Sequence, residues 1–512
     1  MELELALDPS GALSPRDLKF EPFPRSGRAR TRPVRLTWHD TPHHVLAARG
    51  LALEERGGTF RLILLCPRAE VWPPGAPEPC VETAARLDAM TFAGTEPLEA
   101  PLTPVRLFEG SETTLTFLVD GESVTVTQRQ GTVRAVGPGY AQRRVTLAGP
   151  GHAVHRLAIA LAERAPIAIP RASFAAEALA LTTGTAPAPR RAGAPSSIGE
   201  APTVGEAIAH AVGHLTDVIL YQASAAASGS DGPEPVHQAR VATRRLRSAL
   251  SLFQPVIPAS LLDGVLPKVK ALGAVLGPVR DWDVFVTETL PPILAAFPGE
   301  QRLDQLRGAA NRRRAVHQTA LRTWLGGPAF RVLGVELACL AAAPLWRPEP
   351  VADAQPPRDG DADPLPQASP MSMPLAMPLA SYVEPVLHRR WKRLVAAGKD
   401  IEQHDAATLH AMRLKIKRLR YVLEIANLSG GHGDSRKLSK RLAKSQDQFG
   451  ILNDRAVAAG LLAEPGGPEA RHPFASGLIL GFLTAHGQRG RRAVRDGWVK
   501  IRRLTPYWEQ NN

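Results

Sequence analysis

Apolar and polar residues alternate in short stretches through the first 180 positions, which is the pattern of half-buried β-strands. The clearest stretches are 34–38, 59–65, 113–121 and 123–128. Asp120 and Gly121 separate the last two, so we expect a two-residue hairpin turn there. Residues 151–165 change to helical spacing. The pattern predicts an antiparallel β-domain over residues 1–181 that ends in a helix.

Beyond residue 203 the apolar positions recur at the spacing of long α-helices. Two segments interrupt this pattern: 182–202, rich in Pro, Ala, Gly and Ser, and 347–379, rich in Pro and poor in bulky apolar residues. We interpret the first as a linker and the second as a disordered spacer. The chain is therefore predicted to be an α+β multidomain protein, with one helical repeat at 203–346 and a second at 380–512.

The two helical segments share an internal repeat. VHQARVATRRLR at 236–247 aligns with LHAMRLKIKRLR at 409–420 at an offset of 173. The same offset aligns 276–284 with 449–457, which pairs Gly277 with Gly450 and Asp281 with Asp454. Segments 313–318 and 491–496 also share Arg-Arg-Ala-Val. Two homologous helical units follow from these matches.

Each repeat carries a row of cationic residues along one side of a predicted helix. The rows are His237, Arg240, Arg244 and Arg247 in the first repeat, and His410, Arg413, Lys417 and Arg420 in the second. At 100° per residue each row is about 80° wide, and apolar residues occupy the opposite side. Like charges three or four positions apart repel unless an anion lies between them. A solvated basic face is the alternative, but its recurrence in both repeats favours an extended polyanion.

Charge is concentrated in the second repeat. The net charge of the chain is +13, and residues 380–512 hold 24 basic and 12 acidic side chains. Such a surface attracts polyanions without identifying them. The three cysteines are too few for a disulfide framework or a Cys-based zinc site. No apolar stretch is long enough to cross a bilayer and the first residues do not resemble a signal peptide, so we expect a cytoplasmic location and no membrane span.

The pattern H-x-x-R-x-x-x-[RK]-R-L-R, followed about 40 residues later by Gly-x-x-[RN]-Asp, resembles the CHAD domain family. The resemblance covers about 310 residues and both repeats. It implies an all-α module of two four-helix bundles with pseudo-twofold symmetry, whose basic surfaces face a channel that accepts inorganic polyphosphate. It extends the candidate binding residues from the two rows to the adjoining Arg245 and Arg418.

Position in the repeat adds further candidates for polyphosphate binding. They are Lys268, Lys270, Lys440, Arg441 and Lys444 on the following helix, and Arg313, Arg314, Arg491 and Arg492 on a later one. Asp281 and Asp454 are expected to orient an arginine or the histidine, with a helix cap as the alternative. The second repeat has Asn453 in place of Arg280, so the halves are expected to bind unequally.

The histidines of the two rows are not expected to bind metal, because neither has a second ligand at metal-binding spacing on its face. Protonated imidazoles would instead attract an anion. We therefore expect polyphosphate binding to tighten as the pH falls through the imidazole range.

The first domain resembles the CYTH family of triphosphate tunnel domains. Its first strand, E-L-E-L-A, places Glu2, Glu4 and Ala6 on one face, with Ala6 where that family has lysine. HDTPHHVLAARGLALEER at 39–56 also matches, but Glu54 replaces an arginine, and RRVTLAG at 143–149 replaces a glutamate-rich strand. We predict a degenerate CYTH-like domain with an antiparallel β tunnel or barrel-like fold and only a weak, vestigial metal site at Glu2 and Glu4.

These features favour a non-catalytic protein that binds inorganic polyphosphate or a similar polyanion, without a cofactor. Association with polyphosphate or polyester granules is left open by the sequence. One alternative is a metal-dependent inorganic triphosphatase of CYTH type, using Mg or Mn, in which the helical module holds substrate. Nucleic-acid binding is a second alternative. Aromatic residues make up only 5% of the chain, which disfavours a base-stacking platform.

Overall fold

The computed structural model describes thirteen segments of the chain. They are 2–7, 23–65, 81–83, 100–135, 137–170, 173–184, 191–193, 198–199, 201–229, 232–342, 375–429, 433–464 and 467–509. These segments form two compact units. The sheet unit comprises Met1–Arg190, Val212–Tyr221 and Gly326–Arg347, and the helical unit comprises Arg191–Ala211, Gln222–Leu325 and Pro348–Asn512.

The described strands of the sheet unit form one antiparallel sheet. They are β1 (Glu2–Leu7), β2 (Arg25–Asp40), β3 (Leu51–Arg56), β4 (Thr59–Leu64), β5 (Val81–Thr83), β6 (Thr103–Val119), β7 (Glu122–Arg134), β8 (Tyr140–Ala148) and β9 (Ile167–Ala168). Their order across the sheet is β5-β4-β3-β2-β6-β7-β8-β1-β9. The four strand segments predicted from alternation coincide with β2, β4, β6 and β7 to within two residues, so the prediction of an antiparallel β-domain is confirmed.

The described α-helices are numbered in chain order. They are α1 (Val45–Ala48), α2 (Gly151–Arg164), α3 (Phe174–Thr183), α4 (Val204–Ser228), α5 (Glu234–Phe253), α6 (Ala259–Val284), α7 (Leu290–Ala296), α8 (Gln301–Gly326), α9 (Pro328–Ala342), α10 (Leu379–Ala397), α11 (Ala406–Ala426), α12 (Gly433–Ala463) and α13 (Pro473–Arg502). A π-helical segment, Phe285–Thr289, joins α6 to α7.

The predicted alternation of β1 is confirmed, because Leu3, Leu5 and Leu7 are buried while the residues between them are more accessible. The three leucines belong to a hydrophobic core that also contains the buried faces of α2 and α9. Leu157 of α2 and Val335 of α9 are nearly inaccessible in this core. Two helices from distant parts of the chain therefore cover one face of the sheet.

The hairpin predicted at Asp120 and Gly121 is confirmed. Both residues have positive φ, 54° and 87°, which is the backbone that a two-residue type I′ turn requires. Further along the same hairpin, Gly110 of β6 lies opposite Gly131 of β7. A Cβ added at Gly131 would lie 2.2 Å from the carbonyl oxygen of Glu109. The two backbones are thus too close for a side chain at this point.

The helical unit repeats one arrangement of long helices. When 173 is added to the residue numbers of α5, the range agrees with that of α11 to within one residue. The same addition places the first residue of α6 one position before that of α12. The helices α4 and α10 correspond in the same way, and α8 corresponds to α13 at the offset of 178 found between their Arg-Arg-Ala-Val segments. The prediction of four long helices in each repeat is confirmed.

The ends of the predicted linker and spacer meet as backbone neighbours. The amide of Val204 donates to the carbonyl of Met377 at 2.9 Å, and the amide of Leu379 donates to that of Pro202 at 2.8 Å. The rest of the predicted spacer, 347–374, lies outside the described residues. The predicted linker began two residues too early, because Thr182 and Thr183 complete α3, whose N-cap Ser173 accepts from the amide of Ala176.

Among the described helices, no single one is long and apolar enough to cross a membrane, although the bent pair 301–326 and 328–341 meets that test by length and composition together.

Replacing Gly131 by alanine is expected to destabilise the sheet unit by about 2 kcal/mol, because the new methyl group overlaps the backbone of β6. Gly477 in α13 is the matched control, since nothing lies within 4 Å of a Cβ added there and alanine favours a helix. Thermal unfolding followed by circular dichroism compares the two variants. Equal melting temperatures would contradict the close approach of β6 and β7.

Candidate functional site

Cationic side chains from both repeats meet in the helical unit. We name this group the central cluster; its members are Arg240 and Arg244 of α5, Arg280 of α6, and Arg413, Lys417 and Arg420 of α11. The positive charges of Arg244, Arg413, Arg240 and Arg420 act on Lys417. The charge of Arg280 acts on Arg240. The structure therefore brings five members of the two predicted rows close together, two from the first repeat and three from the second, with Arg280 beside them.

The pKa of Lys417 is strongly lowered within the central cluster. Burial of the ammonium group, followed by the charges of the surrounding arginines, lowers the pKa of Lys417 to about 7. Desolvation and like charges both disfavour the protonated amine. Near neutral pH a substantial fraction of Lys417 is therefore uncharged in the free protein.

The same glycine–arginine neighbourhood occurs in both repeats. Nη1 of Arg240 donates to the carbonyl of Gly277 at 2.6 Å, and its Nη2 lies 3.2 Å from Oδ1 of Asp281. A Cβ added at Gly277 would come within 3.1 Å of Arg240, and one added at Gly450 would lie 3.8 Å from Nη2 of Arg413. A side chain at Gly277 would therefore crowd Arg240, whereas one at Gly450 would make only an ordinary contact with Arg413. Asp281 holds Arg240 by an ion pair, whereas the side chain of Asp454 lies outside the described residues.

Two cations of the central cluster have no carboxylate partner among the described residues. They are Arg244, whose buried Nε also has no hydrogen-bond acceptor, and Lys417. An unsatisfied buried donor costs free energy that a bound anion would recover. Beside them lies the half-buried His237, whose pKa is lowered by burial and then by the charge of Arg280. Arg280 itself pairs with Glu288 at 3.0 Å.

Arg245, a predicted polyphosphate ligand, instead links the two repeats. Its Nη2 donates to Oε1 of Glu424 at 3.1 Å, and it also bonds the carbonyl of Ala192. The Glu424 carboxylate lies 3.3 Å from Nε of Arg420 as well. Both guanidinium groups lie against the ring of Tyr421. These contacts fix α5 against α11.

Arg313 and Arg314, also predicted ligands, form ion pairs with acids of the protein. Arg313 pairs with Glu464, whose carboxylate also lies 3.2 Å from Nε2 of His317 and accepts from Trp282 Nε1 at 3.2 Å. Arg314 donates to the fully buried Asp283 at 2.6 Å. The charges of both arginines are therefore largely compensated within the fold.

The remaining predicted ligands comprise two that bond backbone carbonyls, one that lies beside other arginines, and seven that are exposed. Lys268 donates to the carbonyl of Gly264 at 2.9 Å, and Arg491 donates to that of His404 at 3.2 Å. Arg418 lies beside arginines of α10. The others are exposed on their helices: Arg247, Lys270, His410, Lys440, Arg441, Lys444 and Arg492.

Sequence reasoning did not include Arg280 and Glu424 among the site residues. Arg280 follows Gly277 by three positions, which places both on one side of α6, so this spacing could have identified it. Glu424 follows Arg420 by four positions and was recognisable as its intrahelical partner. Its bond to Arg245 of the other repeat had no local signal.

The sheet unit holds a second group of charges, arranged along one row across five strands. The register places Ala6 opposite Arg144, Arg144 opposite Arg129, Arg129 opposite Glu112 and Glu112 opposite Arg32. Opposed residues of antiparallel strands share a face. Buried Glu112 accepts from Arg32 at 2.7 Å and from Arg129 at 2.9 Å, and also from Arg56 at 2.7 Å.

These hydrogen bonds set the ionisation of Glu112. Burial opposes its charge, but the bonds from Arg56, Arg32 and Arg129 outweigh burial and lower its pKa to about 2. Three guanidinium groups thus converge on one carboxylate.

Glu4, predicted as part of a vestigial metal site, lies two residues before Ala6 on the same face of β1. Burial raises its pKa, and the charges of Arg144 and Arg129 oppose that effect. Glu54, the position at which the CYTH-like pattern predicted an arginine, also has a raised pKa through burial and accepts from Trp38 Nε1 at 3.1 Å. Arg144 lies opposite Ala6 in the sheet. Within the described segments, no three His, Cys, Asp or Glu side chains are grouped as metal ligands.

Comparison with known proteins identifies the helical part. The family model of the CHAD domain matches residues 210–463. The crystal structure of the CHAD domain from the plant Ricinus communis is 28% identical, with a TM-score of 0.48, and the match covers 62% of this chain and 98% of that one. PptA from Streptomyces chartreusis is 16% identical, with a TM-score of 0.41, and the match covers 58% and 99%. No curated protein matches the chain.

Replacing Lys417 by methionine is expected to stabilise the free protein by about 1 kcal/mol, because each like-charge contact costs roughly 0.2–0.5 kcal/mol. The folded pKa of Lys417 lies below its usual value, so the charge penalty is full below pH 7 and disappears as the pH rises toward 10.5. Urea unfolding at pH 6 and pH 9 measures the difference. Lys415→Met on the same helix is the control, and an equal gain in both variants would contradict the repulsion.

Proposed function

The chain is a CHAD domain-containing protein, and on that premise we propose that the helical unit binds inorganic polyphosphate at the central cluster without hydrolysing it. The observation that carries the proposal is the position of Lys417 among four arginines drawn from both repeats. A folded protein normally disperses such charges, because each repels the others. A ligand with closely spaced negative charges converts this repulsion into attraction.

The composition of the central cluster favours phosphate oxygens as the ligand atoms. Guanidinium groups bind phosphate through paired N–H donors, and an ammonium group adds a point charge. Arg244 has a buried Nε without an acceptor, which a phosphate oxygen can satisfy. Several phosphates bound at once would also release condensed counterions, which adds a favourable term to binding.

An extended chain of phosphates fits this surface better than nucleic acid does. The cations follow α5 and α11 at helical spacing, so they form two lines rather than a single pocket. Tyr421, the aromatic residue that contacts Arg420, is buried against Arg245 and Arg420. It is therefore not available for stacking with bases.

Changing Arg240, Arg244, Arg413 and Lys417 together to alanine is expected to weaken polyphosphate binding at least about hundredfold at moderate salt. The log–log dependence of affinity on salt should become shallower by about three, since each lost cation releases one counterion fewer. Isothermal titration with long-chain polyphosphate at several salt concentrations measures both quantities.

The control changes four exposed cations of the helical unit that lie outside the central cluster: Arg312, Lys399, Arg471 and Lys500. This variant carries the same net charge but should keep most of the affinity. Equal losses in the two variants would refute a localised site. Incubation of the wild type with tripolyphosphate and Mg²⁺ or Mn²⁺ tests the absence of hydrolysis, because release of phosphate would support the triphosphatase alternative instead.

Polyphosphate affinity is expected to fall by up to about tenfold per pH unit as the pH rises from 7 to 9. In the free protein the pKa of Lys417 is about 7, and a bound polyanion raises it, so binding takes up a proton in this range. The variant Lys417→Arg keeps its charge and should show little dependence. Identical pH profiles for the two proteins would show that Lys417 does not face the ligand. His237, whose pKa is lowered, contributes only at lower pH.

A further inference from the structure

Lys417 is the primary amine of the central cluster, whose other members are arginines. It is half-buried on α11, with Arg413 four positions before it and Arg420 three positions after it, so the three side chains lie on one side of the helix. The charges of Arg240 and Arg244 act on it from α5, which packs against α11. Because guanidinium groups stay protonated, Lys417 is the group in this cluster that can act as a nucleophile.

The carboxylates beside the central cluster are bonded to its arginines rather than to this amine. Asp281 pairs with Arg240 at 3.2 Å, and Glu424 pairs with Arg420 at 3.3 Å. Burial and the arginine charges lower the pKa of Lys417 to about 7, so near neutral pH much of the amine is unprotonated. An ordinary lysine, with a pKa of about 10.4, is an ammonium ion under the same conditions and cannot attack an electrophile.

The surrounding arginines favour an electrophile that carries a phosphate. Arg244 has a buried Nε without an acceptor, which a phosphate oxygen can satisfy. In an acyl phosphate the phosphate is joined directly to the carbonyl carbon. A phosphate bound by Arg244 would therefore hold that carbon close to Nζ of Lys417, and such positioning accelerates attack. A donor without a phosphate gains nothing from the arginines.

We propose that Lys417 is a site of acylation by acyl phosphates and that the arginines of the central cluster bind and activate the donor. The unprotonated Nζ attacks the carbonyl carbon, and an N–C bond forms. The bond from this carbon to the phosphate oxygen breaks, phosphate departs with the electron pair, and a proton passes from Nζ to water. The guanidinium groups accelerate the step because they stabilise the charge that develops on the departing phosphate.

Acylation would remove one positive charge from the central cluster. The amide formed at Nζ cannot be protonated, so Lys417 would no longer attract a polyanion. This consequence rests on the proposed binding of polyphosphate, whereas the acylation rests on the amine and its neighbouring arginines. A bound polyphosphate chain would in turn cover Lys417, so that the ligand and the modification exclude each other.

The test incubates the full chain with acetyl phosphate at pH 8 and measures the initial rates of acetylation at Lys417 and Lys415. Cleavage after glutamate gives a peptide, residues 403–424, that contains both lysines, so tandem mass spectrometry compares them within one molecule. Lys415 lies about 160° away around α11 and serves as the internal reference. A parallel reaction uses p-nitrophenyl acetate, which supplies the same acetyl group without a phosphate.

We expect acetyl phosphate to modify Lys417 at least about tenfold faster than Lys415, and p-nitrophenyl acetate to show a preference at least about fivefold smaller. Arg244→Gln should lower the rate at Lys417 with acetyl phosphate and leave the rate at Lys415 unchanged. Excess tripolyphosphate should suppress acetylation of Lys417 alone. The comparison of the two donors uses the wild type, so it does not depend on the folding of a variant.

Two results would overturn the inference. Acetyl phosphate could modify Lys415 as fast as Lys417, or both donors could show the same preference, in which case a reactive amine alone accounts for the modification. Failure of the proposed function has a different signature: calorimetry of the unmodified wild type detects no polyphosphate binding, and tripolyphosphate gives no protection although acetyl phosphate still modifies Lys417 selectively. Circular dichroism establishes that Arg244→Gln retains its helices.

Discussion

Repulsion among the cations of α5 and α11 is the constraint that the helical unit has to accommodate. Two kinds of contact hold α5 and α11 together despite this repulsion. Apolar residues such as Leu246 and Ile416 are fully buried on the sides away from the cations. Beside the cluster, Arg245 of one repeat bonds Glu424 of the other at 3.1 Å. Under the proposed function, a bound polyanion would relieve this repulsion.

The presence or absence of a nearby carboxylate divides the many arginines of this unit into two kinds. Arg314 meets the buried Asp283, and Arg313 meets Glu464, so these arginines stabilise contacts between helices. Arg244 and Lys417 have no such partner in the described part of the chain. A cationic sequence motif alone does not separate the two kinds, because both occur as adjacent basic residues.

The sequence predicted what depends on periodicity within one helix and on the internal offset. It placed Arg240 and Arg413 at equivalent positions, and the structure gives each a glycine neighbour, Gly277 and Gly450. The family resemblance added Arg245 to the candidates, but the spacing within one helix does not identify the residues of another helix that pack against it. Glu424 is 179 positions away from Arg245, and only packing of the two repeats brings them together. For the same reason the sequence did not predict that Arg418 of α11 lies beside Arg389, Arg390 and Arg393 of α10.

The two units differ in whether carboxylates compensate their clustered cations, and this difference affects where an anion would bind. In the sheet unit Arg32, Arg56 and Arg129 converge on Glu112, while Arg144 contacts Glu177 and lies 3.8 Å from Glu4. An incoming anion would have to compete with carboxylates already fixed by the strands. In the helical unit Asp281 pairs with Arg240, Glu288 with Arg280 and Glu424 with Arg420, whereas Arg244 and Lys417 have no carboxylate partner among the described residues. Under the proposed function these two cations of the helical unit would gain electrostatic energy from a polyanion, whereas the sheet unit would first have to exchange one of its own carboxylates for it.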